Sequence, residues 1–265
     1  MNVNERESKG GGAVSYWWRR VIAMNEYGPG VSGPGLSGMD KFTGTITLSG
    51  ERAAVIKQTY VLFGLSVASA LAGGYVGATS ETVVRLFSNW MGWILAIVLL
   101  NVVPRIAIAV RHNPVLGIGA LVFDGFFAGI VISPLLYVAS TVAPTMIVAS
   151  LMITGFVFLG VTGYVMTSGR TFSAPRGLMT GMFFAIIGAV ILNSFLNIGL
   201  LGILISFAIG AFGVFVLVYS TSSVLNTPDA DSPIPGALML FAGVFNVFVA
   251  TLNILLRLFG GGRRS

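Results

Sequence analysis

Cysteine is absent from this chain of 265 residues, and histidine occurs once, at His112. The lack of cysteine excludes disulfide bonds, thiolate catalysis and cysteine metal sites, and one histidine excludes a multi-histidine metal centre. The sequence also contains no recognisable nucleophile with its base, no phosphate-binding loop and no pair of carboxylates in an apolar segment. We therefore predict a protein that is not an enzyme and that uses no metal or cofactor.

Charged residues are scarce as well. They make up 9% of the chain, against about 25% in soluble domains. Hydrophobic residues account for 55%, and the mean hydropathy is +0.90. This composition predicts an integral membrane protein in contact with the lipid bilayer. The net charge is +6, but the basic residues mostly flank the apolar segments, which is typical of topology signals and lipid contacts rather than of nucleic-acid binding.

Seven apolar segments are long enough for membrane helices, which need about 20 residues each. They lie at 56–78, 91–110, 115–138, 143–166, 177–196, 198–220 and 235–259. Pro134 predicts a kink or an end late in the third segment. The pairs Gly73/Gly77 and Gly125/Gly129 are spaced as GxxxG, which favours close helix packing. We therefore predict an all-α membrane domain over 54–260, an N-terminal extension at 1–53 and a short basic tail at 261–265.

The N-terminal extension combines charged, Gly-Pro-rich and aromatic stretches. Two overlapping repeats, GPGVSG and GPGLSG, are typical of a turn-rich linker. Before them, aromatic residues stand beside arginines: Tyr16, Trp17, Trp18, Arg19 and Arg20. Such a group favours a membrane interface, and docking to a partner protein is an equal alternative.

Lysine and arginine predict the orientation, because cytoplasmic loops of membrane proteins are enriched in both. Most of them fall on one side if the N-terminus is cytoplasmic. Arg257, Arg263 and Arg264 oppose this arrangement, and a re-entrant last segment would remove the conflict.

The last apolar segment carries a polar stripe. Small and polar residues recur at helical spacing: Gly243, Asn246, Ala250, Asn253 and Arg257. Carboxamides are costly against lipid, so this face should meet other helices or water. We predict that the last helix is central to the bundle. The alternative is a peripheral helix whose asparagines bond to one neighbour.

Asp124 is the only acidic residue inside an apolar segment. An intramembrane carboxylate is costly and is by default a functional-site hypothesis. Its expected partner is Arg105 on the preceding segment. A purely structural ion pair, or a protonated carboxyl bonded to a carbonyl, is the alternative.

Several stretches resemble the Bax-inhibitor family of multi-pass membrane proteins, most closely its bacterial YccA-type branch. They are VIKQTYVLFGLSVASA (55–70), GIVISPLL (129–136), GYVMTSGRTFSAPRGLMTGM (163–182), VYSTSSVLN (218–226), and GALMLF with FNVFVATLNILL in the last segment. The resemblance covers about 55–260. It implies seven transmembrane helices, with two three-helix layers enclosing a central C-terminal helix.

The resemblance also implies functional positions. Calcium-leak members of the family share a proton between two acidic residues, and those positions here hold Ser220 and Gly243; Arg111 matches the basic residue that pairs with them. The YccA-type branch implies association with the FtsH membrane protease as a non-enzymatic regulator in the bacterial inner membrane. Two alternatives remain: a calcium leak channel without the acidic pair, and an accessory subunit of a larger membrane assembly. The sequence leaves the oligomeric state open.

Overall fold

A computed structural model describes residues 37–168, 170–173, 176–196, 198–226 and 232–260. Within these ranges the chain forms nine helices and no strand. They are α1 (Ser37–Thr79), α2 (Glu81–Ser88), α3 (Trp90–Ala109), α4 (Pro114–Val131), α5 (Ser133–Val142), α6 (Thr145–Ser168), α7 (Arg176–Leu196), α8 (Gly199–Asn226) and α9 (Ile234–Phe259).

Seven of these helices are long and apolar enough to cross a membrane. They are α3, α4, α6, α8 and α9 over their full lengths, together with Arg52–Thr79 of α1 and Gly177–Leu196 of α7. Large apolar side chains such as Phe156 and Phe195 are exposed on the outside of the bundle, as suits contact with lipid. The prediction of an all-α membrane protein with seven spans is confirmed.

The third predicted segment, 115–138, is not one helix. It is divided at Ile132 into α4 and α5, and Pro134 lies in the first turn of α5. Proline is tolerated there because its missing N–H has no partner within the helix. With ten residues, α5 spans about 15 Å, half of what a bilayer requires.

Two other boundaries differ from the sequence prediction. The sixth segment was expected to end at 220, but α8 continues to Asn226. The connection expected at 78–90 contains the helix α2, in which Arg85 and Glu81 form an ion pair one turn apart and Phe87 is buried.

By its contacts the chain divides into two units, Met1–Leu48 and Ser49–Ser265. Helix α1 begins at Ser37, within the predicted extension. The aromatic and basic residues at 16–20, the Gly-Pro repeats up to 36 and the basic tail at 261–265 lie outside the described residues. The predicted domain limits therefore stay a prediction.

Helix α9 is the centre of the bundle. It contacts α3, α4, α5, α6 and α8, and its residues Leu238 and Phe241 share an apolar core with Leu62 and Phe63 of α1. Its buried side chains extend from Ile234 to Leu252. The prediction of a central last helix is confirmed, and the peripheral alternative is wrong.

Glycines bring α1 and α4 into backbone contact. A Cβ atom added at Gly125 would lie 2.5 Å from the carbonyl oxygen of Ser66, and one at Gly129 would overlap the carbonyl of Ala70. The hydroxyl of Ser69 donates to the carbonyl of Val122 at 2.6 Å across the same interface. This contact confirms the close packing that the GxxxG spacing predicted.

Candidate functional site

The polar stripe of α9 packs against a row of glycines on α8. A Cβ added at Gly213 would lie 2.9 Å from the Cβ of Asn246, and one at Gly210 would lie 3.2 Å from the Cβ of Ala250. The stripe therefore meets a neighbouring helix, as its polarity predicted, and the glycines of α8 make room for it.

The polar side chains of the stripe bond within their own helix. The amide of Asn246 donates to the carbonyl of Ala242 at 2.8 Å, and the Nε–H of Arg257 donates to Oδ1 of Asn253 at 3.4 Å. Both bonds join residues one turn apart and offset the cost of polar groups in a membrane. The guanidinium of Arg257 covers Gly202, where an added Cβ would meet it at 2.6 Å.

The two positions that the family resemblance marks for acidic residues both border Leu217. Ser220 is fully buried, and its hydroxyl donates to the carbonyl of Leu217 at 3.2 Å. A Cβ added at Gly243 would lie 3.0 Å from the amide nitrogen of Leu217 and 3.2 Å from the carbonyl oxygen of Gly213. At Gly243 a side chain would meet the backbone of α8 more closely than ordinary contact allows, so the two helices would have to separate slightly. At Ser220, a serine hydroxyl does not titrate near neutral pH.

Hydroxyl groups continue beyond this contact toward the end of α8, and the sequence analysis missed them. Oγ of Ser222 accepts from the backbone N–H of Phe172 at 2.8 Å and from the amide of Asn226 at 3.2 Å. Oγ1 of Thr221 is buried with no hydrogen-bond partner among the described residues. The run of hydroxyl residues at 220–223 was visible in the sequence, but its connection to the 170–173 segment was not.

Asp124 lies in the interior of α4 and is only 5% exposed. Its Oδ1 is buried and has no hydrogen-bond partner among the described residues. It shares one helix face with Leu121 and Ala128, which belong to the main apolar core. The carboxyl group is therefore held in an apolar environment, as the sequence indicated.

The predicted pair of Asp124 with Arg105 is wrong. Among the described residues the one ion pair is that between Arg85 and Glu81. Arg105 is exposed, because α3 turns Val103 and Ala107 toward the core. It also lies four residues from the end of α3, about 6 Å deep, whereas Asp124 is ten residues into α4, about 15 Å deep.

Arg111 follows the end of α3, beside the start of α9. Its Nε–H donates to Nε2 of His112 at 3.4 Å, and its Cα lies 3.6 Å from a Cβ added at Gly117, which also faces Ile234. Gly243 is nine residues farther along α9 than Ile234, or about 13 Å. The main chain of Arg111 is therefore about two and a half helical turns from the position of the missing acidic pair.

A lateral apolar groove of about 590 Å³ opens between α1, α5 and α6, with α9 behind it. Its wall includes Phe63, Leu136, Phe158 and Phe245, and small residues widen it at Gly64 and Gly155. The sequence analysis did not find it, because the groove depends on how four helices are arranged. Mid-helix glycines were the only signal.

No group of three or more metal-binding side chains occurs in the part of the chain that the structure describes. Asp124 is an isolated carboxylate, and Ser220 and Gly243 offer no charge. The arrangement therefore provides a closed helix contact at the centre of the bundle and an open apolar groove at its side.

Sequence comparison matches most of the chain to known proteins. The profile of a family described as "Inhibitor of apoptosis-promoting Bax1" matches residues 52–262. An uncharacterized protein of Campylobacter jejuni is 28% identical over 211 residues, which cover 79% of this chain and 90% of that protein. A protein of Escherichia coli K12 named "Modulator of FtsH protease YccA" is 29% identical over 204 residues, covering 76% of this chain and 89% of that one. A second E. coli strain has an "Inner membrane protein YccA" with the same identity and coverage.

Proposed function

This chain belongs to the Bax inhibitor family of multi-pass membrane proteins, and on that basis we propose that it is a non-enzymatic regulator that binds a membrane protease of the FtsH type. The observation that carries the proposal is its similarity, over most of both chains, to the E. coli protein named as a modulator of that protease. The name of the second E. coli relative supports an inner-membrane location. The distribution of Lys and Arg supports a cytoplasmic N-terminus.

The residues at the centre of the bundle favour a regulator rather than a channel that is switched by protonation. Two carboxylates a few ångströms apart share a proton because they cannot both ionise, and this raises one pKa toward neutrality. Ser220 and Gly243 lack the carboxyl groups for this, and Gly243 is packed against the backbone of Leu217. The calcium-leak alternative has no titrating pair at this place.

The lateral groove is the surface that we propose for the partner. It is apolar, lies along membrane-spanning helices and is walled by phenylalanines, so a transmembrane helix of the protease can bury apolar side chains in it. Its small residues Gly64 and Gly155 let a partner backbone approach closely.

Purification with the bound partner tests the function. A tagged copy, cross-linked in native membranes, is expected to recover an ATP-dependent membrane protease, and its overproduction should slow degradation of a membrane substrate of that protease. Recovery of no protease, together with a calcium flux in liposomes that contain the purified protein, would replace the regulator with the leak channel.

A groove-filling substitution tests the surface. A Cβ added at Gly155 meets no atom within 4 Å, so Gly155→Leu fills the groove without disturbing the fold. Gly188→Leu on α7 is the matched control, because Gly188 is equally open and does not line the groove. We expect Gly155→Leu to lose the protease and Gly188→Leu to retain it. The reverse result would place the contact on α7.

A further inference from the structure

The lateral groove between α1, α5 and α6 is long and narrow. It follows α1 from Phe63 to Thr79, which corresponds to a rise of about 24 Å. Divided by that length, its volume of about 590 Å³ gives a mean cross-section of about 25 Å², or a channel about 5 Å wide. An α-helix with its side chains is about 10–12 Å wide. The groove therefore admits single side chains of a partner helix, but not the body of that helix.

A single hydrocarbon chain matches these dimensions. Carbon atoms pack at about 3.5–4.0 Å, so a chain of methylene groups needs a channel about 4–5 Å across. The wall offers such a chain mainly apolar contacts, with Val67, Leu71 and Leu136 among the residues that line it. An empty channel is unfavourable, because the atoms that line it lack partners on one side.

The groove also covers one leaflet of the membrane. The spanning part of α1, Arg52–Thr79, contains 28 residues and rises about 42 Å, so its middle lies near Leu65. The groove begins at Phe63, close to that middle, and continues to Thr79, where the span ends. Each leaflet contributes half of a hydrocarbon core of about 30 Å. An acyl chain of the leaflet at the Thr79 end therefore has the depth and the direction of the groove.

Aromatic rings close the groove at its Phe63 end. Phe63 of α1 and Phe158 of α6 stack with their ring centroids 5.0 Å apart, and Tyr60 meets Phe158 edge-on at 6.4 Å. Gly64 and Gly155 lie within one turn of these rings and line the groove. A Cβ added at either glycine meets no atom within 4 Å, so space remains there for the end of a chain.

Hydroxyl groups line the groove at its other end. They belong to Tyr75 and Thr79 of α1 and to Ser140 of α5. The hydroxyls of Thr79 and Ser140 donate to the carbonyl groups of Tyr75 and Tyr137, both at 2.9 Å. Tyr75 is 74% exposed, and tyrosine is enriched at the membrane–water interface. Its hydroxyl can therefore donate to the ester carbonyl of a lipid whose acyl chain lies in the groove.

We propose that the groove is a lipid site, which holds one acyl chain of a phospholipid from the leaflet at the Thr79 end, with the end of the chain against Phe63 and Phe158. The lipid site does not depend on the proposed regulation of a protease. The same groove is proposed above for side chains of the partner helix, so the lipid has to leave before the protease docks. This consequence rests on the proposed function.

Photo-cross-linking of the full-length protein tests where the chain lies. The protein is placed in nanodiscs of phosphatidylcholine, part of which carries a diazirine at the end of one acyl chain. Light releases N₂ from the diazirine, and the carbene that remains inserts into a nearby C–H bond. Peptide mass spectrometry should find more lipid adduct around Phe63 and Phe158 than around Phe184, an exposed residue near the middle of α7. Equal adduct at both places would overturn the proposal, because it indicates ordinary lipid contact.

Groove-filling variants test the site itself. Gly155→Leu adds four carbon atoms at the closed end, and in a channel one chain wide it should lower the adduct at Phe63 about tenfold. Gly64→Leu fills the same end from α1 and should give the same loss. Gly163→Leu is the matched control, because Gly163 is equally open on α6 and does not line the groove. Thermal unfolding shows whether each variant is folded. Unchanged adduct in both groove variants, or an equal loss in Gly163→Leu, would overturn the lipid site.

The consequence for the partner has a separate readout. Cells are fed a fatty acid with a terminal diazirine, and the tagged copy is irradiated in native membranes before purification. Molecules recovered with the protease should carry less lipid adduct at Phe63 than molecules recovered without it. Equal adduct in the two fractions would show that lipid and partner do not share the groove. If no protease is recovered, the proposed function fails, while the adduct in nanodiscs still decides the lipid site.

Discussion

The contact between Gly243 and Leu217 makes a quantitative prediction about the centre of the bundle. In Gly243→Ala, the new Cβ would lie 3.0 Å from the amide nitrogen of Leu217, 3.1 Å from its Cα and 3.2 Å from the carbonyl oxygen of Gly213. Comfortable contacts between carbon atoms are about 3.5–4.0 Å. The three opposing atoms belong to the backbone of α8, so they cannot rotate away, and the two helices must separate by a few tenths of an ångström.

The expected cost follows from two opposing effects. Overpacking of this kind costs about 1–3 kcal/mol, while replacing glycine by alanine inside a helix gains about 1 kcal/mol. Gly243→Ala should therefore change the free energy of unfolding by about 0 to 2 kcal/mol in the destabilising direction.

Two further glycine-to-alanine variants separate these effects. Gly188→Ala on α7 meets no atom within 4 Å and should show only the gain from helix propensity. Gly210→Ala meets one side-chain atom, the Cβ of Ala250 at 3.2 Å, and should be intermediate. Unfolding in mixed micelles with increasing denaturing detergent should rank them Gly188→Ala, Gly210→Ala, Gly243→Ala from most to least stable. A Gly243→Ala protein as stable as Gly188→Ala would refute the close contact.

The remaining predictions concern topology, Asp124 and conduction. In this cysteine-free chain, an impermeant thiol reagent applied to intact cells should label Thr79→Cys but not Ser8→Cys; the opposite pattern would place the N-terminus outside. Because Asp124 and Arg105 form no ion pair, the stability effects of Asp124→Asn and Arg105→Gln should add within about 0.5 kcal/mol in the double variant, and a clear departure would show that the two side chains interact. Purified protein in liposomes should leak no more calcium than empty liposomes at neutral or mildly acidic pH, and an acid-activated flux abolished by Asp124→Asn would make that residue a relocated acidic site.

The seven spans could be predicted because each needs only a long apolar run, which is a local property of the sequence. The break at Ile132 could be predicted only in part. Pro134 marked its place, but proline fits the first turn of a new helix as readily as it bends an existing one. The chain is apolar on both sides of this break, so composition could not decide between the two.

The wrong prediction that Asp124 pairs with Arg105 shows that residues on two neighbouring helices need not face each other. The two residues are on consecutive antiparallel helices, which suggested a contact. The buried residues of α3 are small or β-branched and recur at helical spacing: Gly92, Ala96, Val103 and Ala107. Arg105 is two residues from Val103 and therefore points about 200° away from it. Because α3 is apolar on nearly all its faces, the sequence alone did not show which face is buried, and the structure was needed to exclude the pair.

The contact made by the polar stripe of α9 was predicted better, because the residues of α8 that face it also follow a pattern in the sequence. The small residues Gly202, Ser206, Gly210 and Gly213 of α8 recur at spacings of three and four, as do the stripe residues of α9. The distance of the two backbones was not predictable, since it depends on which glycine meets which carbonyl group. The structure supplies that register through Gly243 and Leu217.

The contact of Gly243 with Leu217 limits how the protein could be controlled. A channel that opens on a change of protonation needs a titrating group at the contact that separates, and at Leu217 the neighbours are a glycine and a buried serine hydroxyl. Asp124 is a carboxyl group on α4, on the face it shares with Leu121 and Ala128, which pack into the same apolar core as Leu217, but it belongs to neither of the two helices that meet at Gly243. Control of this molecule is therefore expected to act at its lipid-facing surface, where the lateral groove lies.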